Sequence, residues 1–165
     1  MRTFFKRLLI TILVLLVLIQ LMPKPTKNLS DTLSANDITQ KFTVPDTVQS
    51  ILRASCFDCH SNNTVYPWYS KVQPVAWWLN RHIEEGKREL NFSEFASYPL
   101  KRQYRKLSKI KDEVNDGGMP LPSYTIIHRY AKLDESQKNI IANWVNTLQD
   151  SLKAHYPLDS LVRKK

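Results

Sequence analysis

The chain has 165 residues, room for one domain plus an appendage. Its two cysteines cannot build a disulfide framework. The formal charge of +9 resembles a nucleic-acid signal until its distribution is read: Arg2, Lys6, Arg7, Lys24 and Lys27 surround an apolar N-terminus, and no acid precedes Asp31. The remainder carries 19 basic against 15 acidic residues, three of the basic ones in the closing Arg163, Lys164 and Lys165. No nucleic acid is expected as a partner.

From Leu8 to Met22 the chain is apolar except at Thr11 and Gln20. A basic stretch before such a run is a membrane-targeting signal. The run is shorter than the roughly 17–25 residues of a full span, but Phe4 and Phe5 lengthen it. Pro23-Lys24-Pro25 follow at once without a small-residue cleavage site, so residues 1–22 read as an uncleaved signal-anchor in preference to a cleaved signal peptide. Positive charge is denser before the run than after it, which directs the C-terminal side of the chain to export. The domain is expected in the periplasm, anchored to the inner membrane, or soluble there if the segment is cleaved. Residues 23–43 read as a polar linker, 44–153 as the domain and 154–165 as a basic tail.

A first domain helix is predicted from near Pro45-Asp46, with Val48, Ile51 and Leu52 on one face, ending at Cys56-Phe57-Asp58-Cys59-His60. An aromatic loop follows, with Tyr66, Trp68 and Tyr69. A second helix is placed at 74–88, opened by Pro74, with Trp78, Leu79, His82 and Ile83 on a shared face and Gly86 near its end. Residues 91–97 read as a turn and 100–115 as a third helix stopped by Gly117. Residues 117–132 form a loop. The last helix starts at Asp134 with Gln137 completing a capping box, and carries the stripe Ile140, Ile141, Trp144, Val145 and Leu148. No strand pattern or repeat occurs, and the fold class is all-α: a small helical domain behind an N-terminal membrane helix.

Cys56, Cys59 and His60 carry the chemistry. Two thiols one helical turn apart can each add to one vinyl group of a haem, and the adjacent histidine can bind its iron from the proximal side; the run is the c-type haem attachment pattern. A dithiol redox site would need a βαβ context, and zinc would need histidines gathered from positions 82, 128 and 155. The expected cofactor is one covalently attached haem c per chain. Met119, between Gly118 and Pro120, is the candidate distal ligand, because a thioether favours ferrous iron and suits electron transfer; a methionine filling a core gap is the alternative. His82 and His128 are rival sixth ligands, each more simply read as structural. Trp68, Trp77 and Trp78 are expected to wall the porphyrin, or to serve as core. The basic run from Lys101 to Lys111 reads as the wet face of a helix, with steering of an acidic partner as its functional alternative.

Several segments together extend this reading: Cys56 to Tyr69, Pro74 to Ile83, Leu90 to Phe95, and Met119-Pro120-Leu121-Pro122-Ser123-Tyr124. Over residues 45–150 the chain resembles the bacterial haem-binding domain family common in Bacteroidota, whose members look like small c-type cytochromes. The resemblance implies Cys56 and Cys59 as thioether sites and His60 as proximal ligand. Met119-Pro120 is similar to the distal Met-Pro step of class I cytochromes c, and the final helix to the one that crosses their haem-bearing helix. The Trp77-Trp78 helix and the Asn91-Phe92-Ser93-Glu94 stretch have no class I counterpart. Some relatives carry the domain beside cytochrome c or di-haem peroxidase modules, which implies such redox proteins as partners. The expected function is haem binding and one-electron transfer, without an enzymatic activity of its own. A peroxidase-like or ligand-sensing haem with an open sixth site, and a non-redox haem-handling module, are the alternatives.

Overall fold

In the computed structural model, which describes residues 1–162, all regular structure is helical. Helix α1 (Arg2–Leu18) continues through a 3-10 turn at Ile19–Leu21, and none of its side chains is buried against the protein. Thr11 and Gln20 return their polar groups to the carbonyls of Arg7 and Leu16, at 3.0 and 2.9 Å, so the helix presents a nearly continuous apolar surface. The 20 residues from Arg2 to Leu21 are long and apolar enough to cross a membrane.

The folded body is built on three helices that interlock through apolar faces. Helix α3 (Asp46–Ser55) buries Val48, Ile51 and Leu52, as their spacing predicts. It packs on α8 (Glu135–His155), which also lies against α6 (Leu100–Asn115). Trp144 of α8 fills the junction and donates its indole N–H to the Thr43 carbonyl at 3.2 Å. The predicted capping box is present: Asp134 accepts from the Gln137 amide at 2.8 Å and Gln137 accepts from the Asp134 amide at 3.0 Å. Asp134→Ala is expected to lower stability by about 1 kcal/mol, read as a lower denaturant midpoint with an unchanged slope.

Helix α6 has its predicted bounds. Gly117 ends it with φ +74°, a conformation that favours glycine, and the Met119 amide then donates to the Glu113 carbonyl at 3.0 Å. The segment 117–132, expected as loop, contains helix α7 (Pro122–Thr125) and a 3-10 turn at Arg129–Ala131. Pro122 in the first turn presets the backbone for the short helix.

Residues 23–43 are not a free linker. Helix α2 (Ile38–Lys41) buries Ile38 completely, and Asn28 bonds the Ser61 carbonyl, the Thr64 hydroxyl, the Tyr66 hydroxyl and Lys87. The segment is polar because its polar groups have partners in the fold, not because water surrounds them. The basic tail is likewise partly built in: α8 runs to His155, and helix α9 (Leu158–Leu161) buries Leu161 against the core. Arg163, Lys164 and Lys165 lie outside the described residues.

Candidate functional site

Helix α3 delivers Cys56 at its C-cap, and the short helix α4 (Phe57–His60) carries the rest of the motif. The amides of Cys59 and His60 both donate to the Cys56 carbonyl, at 3.2 and 3.0 Å, which winds the two thiols onto one turn. Both cysteines are free and half-buried. Burial pushes the Cys56 thiol up to about 12, with Cys59 adding to the effect; burial also raises Cys59 to about 11, with the Asp58 charge adding. Neutral sulfhydryls of this kind differ from the depressed thiols of dithiol oxidoreductases.

Helix α5 (Val75–Glu89) fixes the histidine. Nδ1 of His60 lies 2.9 Å from the carbonyls of both Gly86 and Leu90. Two acceptors at one ring nitrogen require the proton there, which leaves the lone pair on Nε2. Gly86 lies in the last turn of α5, where its carbonyl also accepts from the Leu90 amide at 2.8 Å, and Leu90 is the C-cap, so the end of this helix sets the tautomer. Burial lowers the His60 pKa, against the carbonyls' opposite effect, and keeps the ring neutral. A neutral imidazole with a fixed Nδ1–H is the form that binds a metal.

The close approach depends on Gly86. A Cβ placed there would stand 2.6 Å from the Cys59 carbonyl oxygen and 3.1 Å from the Cys59 Cβ. An isolated glycine within a helical pattern is the sequence signal for such a contact.

Two adjoining cavity lobes open beside the motif. One, about 310 Å³, is lined by Cys56, Cys59, His60, His82, Met119 and Tyr124 among others. The other, about 300 Å³, shares Cys56, His60 and Met119 and adds Leu90, Phe92, Ile110 and Val114. Cavities of 300–1,000 Å³ with apolar walls and a few fixed polar groups are the size and character of cofactor sites. The structure therefore brings Cys56, Cys59, His60 and Met119 to one cavity. Their donor set fits a haem: two sulfhydryls one turn apart, an oriented imidazole, a neutral thioether and apolar walls.

Met119 is held from two sides. Its amide is tied to α6, and Tyr124 after it donates its hydroxyl to Asp58 Oδ2 at 2.7 Å. Asp58 Oδ1 also accepts from the Val65 amide at 3.0 Å. Burial, followed by the hydrogen bond to Asp58, pushes the Tyr124 phenol far above its ordinary value, so it remains the donor. This strap between the cysteine motif and the Met-Pro segment had no sequence signal, because its partners are 66 residues apart.

Other expectations are corrected. Trp68, Trp77 and Trp78 do not line the two lobes. Trp68 is exposed, Trp77 donates to the Pro23 carbonyl at 3.2 Å, and Trp78 packs on His82 with ring centroids 4.2 Å apart. The walls come instead from aliphatic residues of α6 and from Leu90 and Phe92. His128 is buried with both nitrogens engaged, Nε2 2.6 Å from the Tyr69 hydroxyl and Nδ1 2.9 Å from the Tyr130 hydroxyl. It lines neither lobe. His82 does line the cavity, with Nδ1 2.9 Å from the Trp78 carbonyl. Lys106, read as part of a wet face, is buried, paired with Glu89 at 3.1 Å, and lines the second lobe. Among the described residues no three His, Cys, Asp or Glu side chains are grouped as a metal-ion site.

A family model described as a haem-binding domain matches residues 14–147. No curated protein and no solved structure matches the chain.

Proposed function

The chain belongs to the haem-binding domain family, so haem is its ligand, and we propose that it is a membrane-anchored, exported carrier of single electrons with one haem attached through Cys56 and Cys59. The observation that carries this reading is the His60 ring, locked by two carbonyls at the wall of a cavity shared with both thiols and Met119. Bound haem supplies a one-electron ferric/ferrous couple.

The protein residues have separate tasks. Cys56 and Cys59 would be the attachment points, each S–H adding across one vinyl double bond, with sulfur bound to one vinyl carbon and hydrogen to the other. His60 would offer Nε2 to the iron, and the Gly86 and Leu90 carbonyls keep the ring's orientation fixed. Met119 would offer its thioether to the iron from a segment tied to α6 and to Asp58. Leu90, Phe92, Ile110 and Val114 exclude water, which favours the less charged ferrous state. With His60 and Met119 both holding the iron, peroxide and oxygen would be kept from it, and the chain would act as a carrier in preference to an enzyme. Other exported cytochromes c or di-haem peroxidases are its proposed partners.

His82 supports a second reading, because it lines the same cavity with Nδ1 on a carbonyl. Absorption spectra of the ferric holoprotein distinguish the two. Met119 ligation gives a low-spin spectrum with a sulfur-to-iron charge-transfer band in the far red. Met119→Ala is expected to abolish that band and lower the midpoint potential by on the order of 100 mV or more. An unchanged spectrum in Met119→Ala, with loss of the low-spin form in His82→Ala, assigns the distal position to His82. A high-spin wild-type spectrum favours the peroxidase-like or ligand-sensing alternative.

A further inference from the structure

Beyond residues 1–22, the three most exposed large apolar side chains among the described residues are Trp68 at 78 %, Val65 at 77 % and Ile126 at 74 %. They come from two loops distant in sequence that part-buried hydrogen bonds hold together. Tyr69, beside Trp68, meets Nε2 of His128 at 2.6 Å, and Nδ1 of the same ring meets the Tyr130 hydroxyl at 2.9 Å. The Tyr124 ring stacks on this imidazole at 4.3 Å. His128 thus staples the loop at 65–72 to the loop at 126–130, and both loops turn apolar side chains outward. Water gives no stability to such a surface, and a fixed apolar patch of this kind marks an interaction face.

The position and charge of the patch indicate its occupant. Gln73 and Gln20 bond reciprocally: the Gln73 amide donates to Gln20 Oε1 and Gln20 Nε2 donates to the Gln73 carbonyl, both at 2.9 Å. The first loop is therefore fastened to the end of the apolar N-terminal helix, and Trp77 bonds Pro23 immediately beyond it. No acidic residue occurs in 61–83 or in 117–133, while Lys71 and Arg129 are exposed within the two loops. Exposed Trp and Tyr with adjacent cations are the side chains that settle at the level of lipid headgroups.

We propose that the two stapled loops are a membrane-surface face, with Trp68, Ile126 and Ile127 entering the headgroup–acyl boundary and Lys71 and Arg129 meeting anionic lipid phosphates. The anchor then does more than tether the domain: the face fixes its orientation on the bilayer. This proposal rests on the reading of α1 as a membrane anchor.

The test uses the full-length haem-loaded chain in vesicles of phosphatidylcholine and phosphatidylglycerol containing a lipid with a photoreactive diazirine part-way along one acyl chain. Peptide mapping after illumination is expected to find adducts on 65–72 and 126–130 as well as on α1. Trp68→Ser combined with Ile126→Asp, both at exposed positions, is expected to reduce the loop adducts by about tenfold and leave those on α1 unchanged. Adducts confined to α1, or loop adducts unaffected by the double variant, overturn the proposal and leave the anchor intact. Release of the chain by alkaline carbonate with no adduct on α1 overturns the anchor reading itself. A dimer in detergent that the double variant abolishes, without loop adducts in vesicles, overturns the proposal in favour of a second copy of the chain on this face.

Discussion

Gly86→Ala is expected to loosen the grip on His60 and to destabilise the domain, although alanine is the better helix former. The propensity gain from Gly to Ala within a helix is about 1 kcal/mol. Against it stands a new methyl group 2.6 Å from the Cys59 carbonyl oxygen. That oxygen belongs to the backbone of α4, so no side-chain rotation relieves the contact, and either α4 or α5 must move. Overpacking of this kind costs about 1–3 kcal/mol, which exceeds or cancels the gain. The displacement acts directly on the Nδ1 contacts, because Gly86 itself supplies one of the two carbonyls. The expected results are a lower denaturant midpoint and a ferric spectrum shifted toward high spin. Wild-type values for both would mean that the approach of α5 to the cysteine motif does not orient the ligand.

Cys56→Ala with Cys59→Ala is expected to remove all covalently held haem from protein matured with the c-type attachment machinery. A haem stain on a denaturing gel would change from positive to blank, and the intact mass would fall by that of the cofactor. Each single variant keeps one thioether and stains. The two positions are half-buried and small, so loss of the sulfur atoms leaves α3 and α4 with their apolar contacts through Val48, Ile51, Leu52 and Phe57. A double variant that still stains would overturn the covalent reading while leaving haem binding in place. A double variant that binds haem reversibly with the wild-type axial spectrum would show that His60 and the distal ligand act independently of the thioethers.

Local and periodic features of this protein are legible in the order of its residues. The apolar face of α3, the bounds of α6, the Gly117 stop and the Asp134 capping box all arise from interactions spanning a few residues, and their spacing is written directly in the succession of side chains. The motif at 56–60 belongs to the same class, because its chemistry requires three groups on one turn.

The remaining features are contacts between distant segments, for which composition is a poor guide. Residues 23–43 are polar in either a linker or a packed segment; the bonds from Asn28 to Ser61 and Thr64 distinguish the two. His82 and His128 looked equivalent as sequence, yet two tyrosine hydroxyls occupy one while the cavity receives the other. The tryptophans promised a cofactor wall by their density, but helix direction turned them toward the chain leaving α1 and toward solvent. Lys106 belongs to a run of cations by sequence, but by position it is buried with its ammonium reaching an exposed Glu89. Near-neighbour geometry repeats with the backbone and can be read along the chain, whereas the partner of a buried polar group depends on which helices meet.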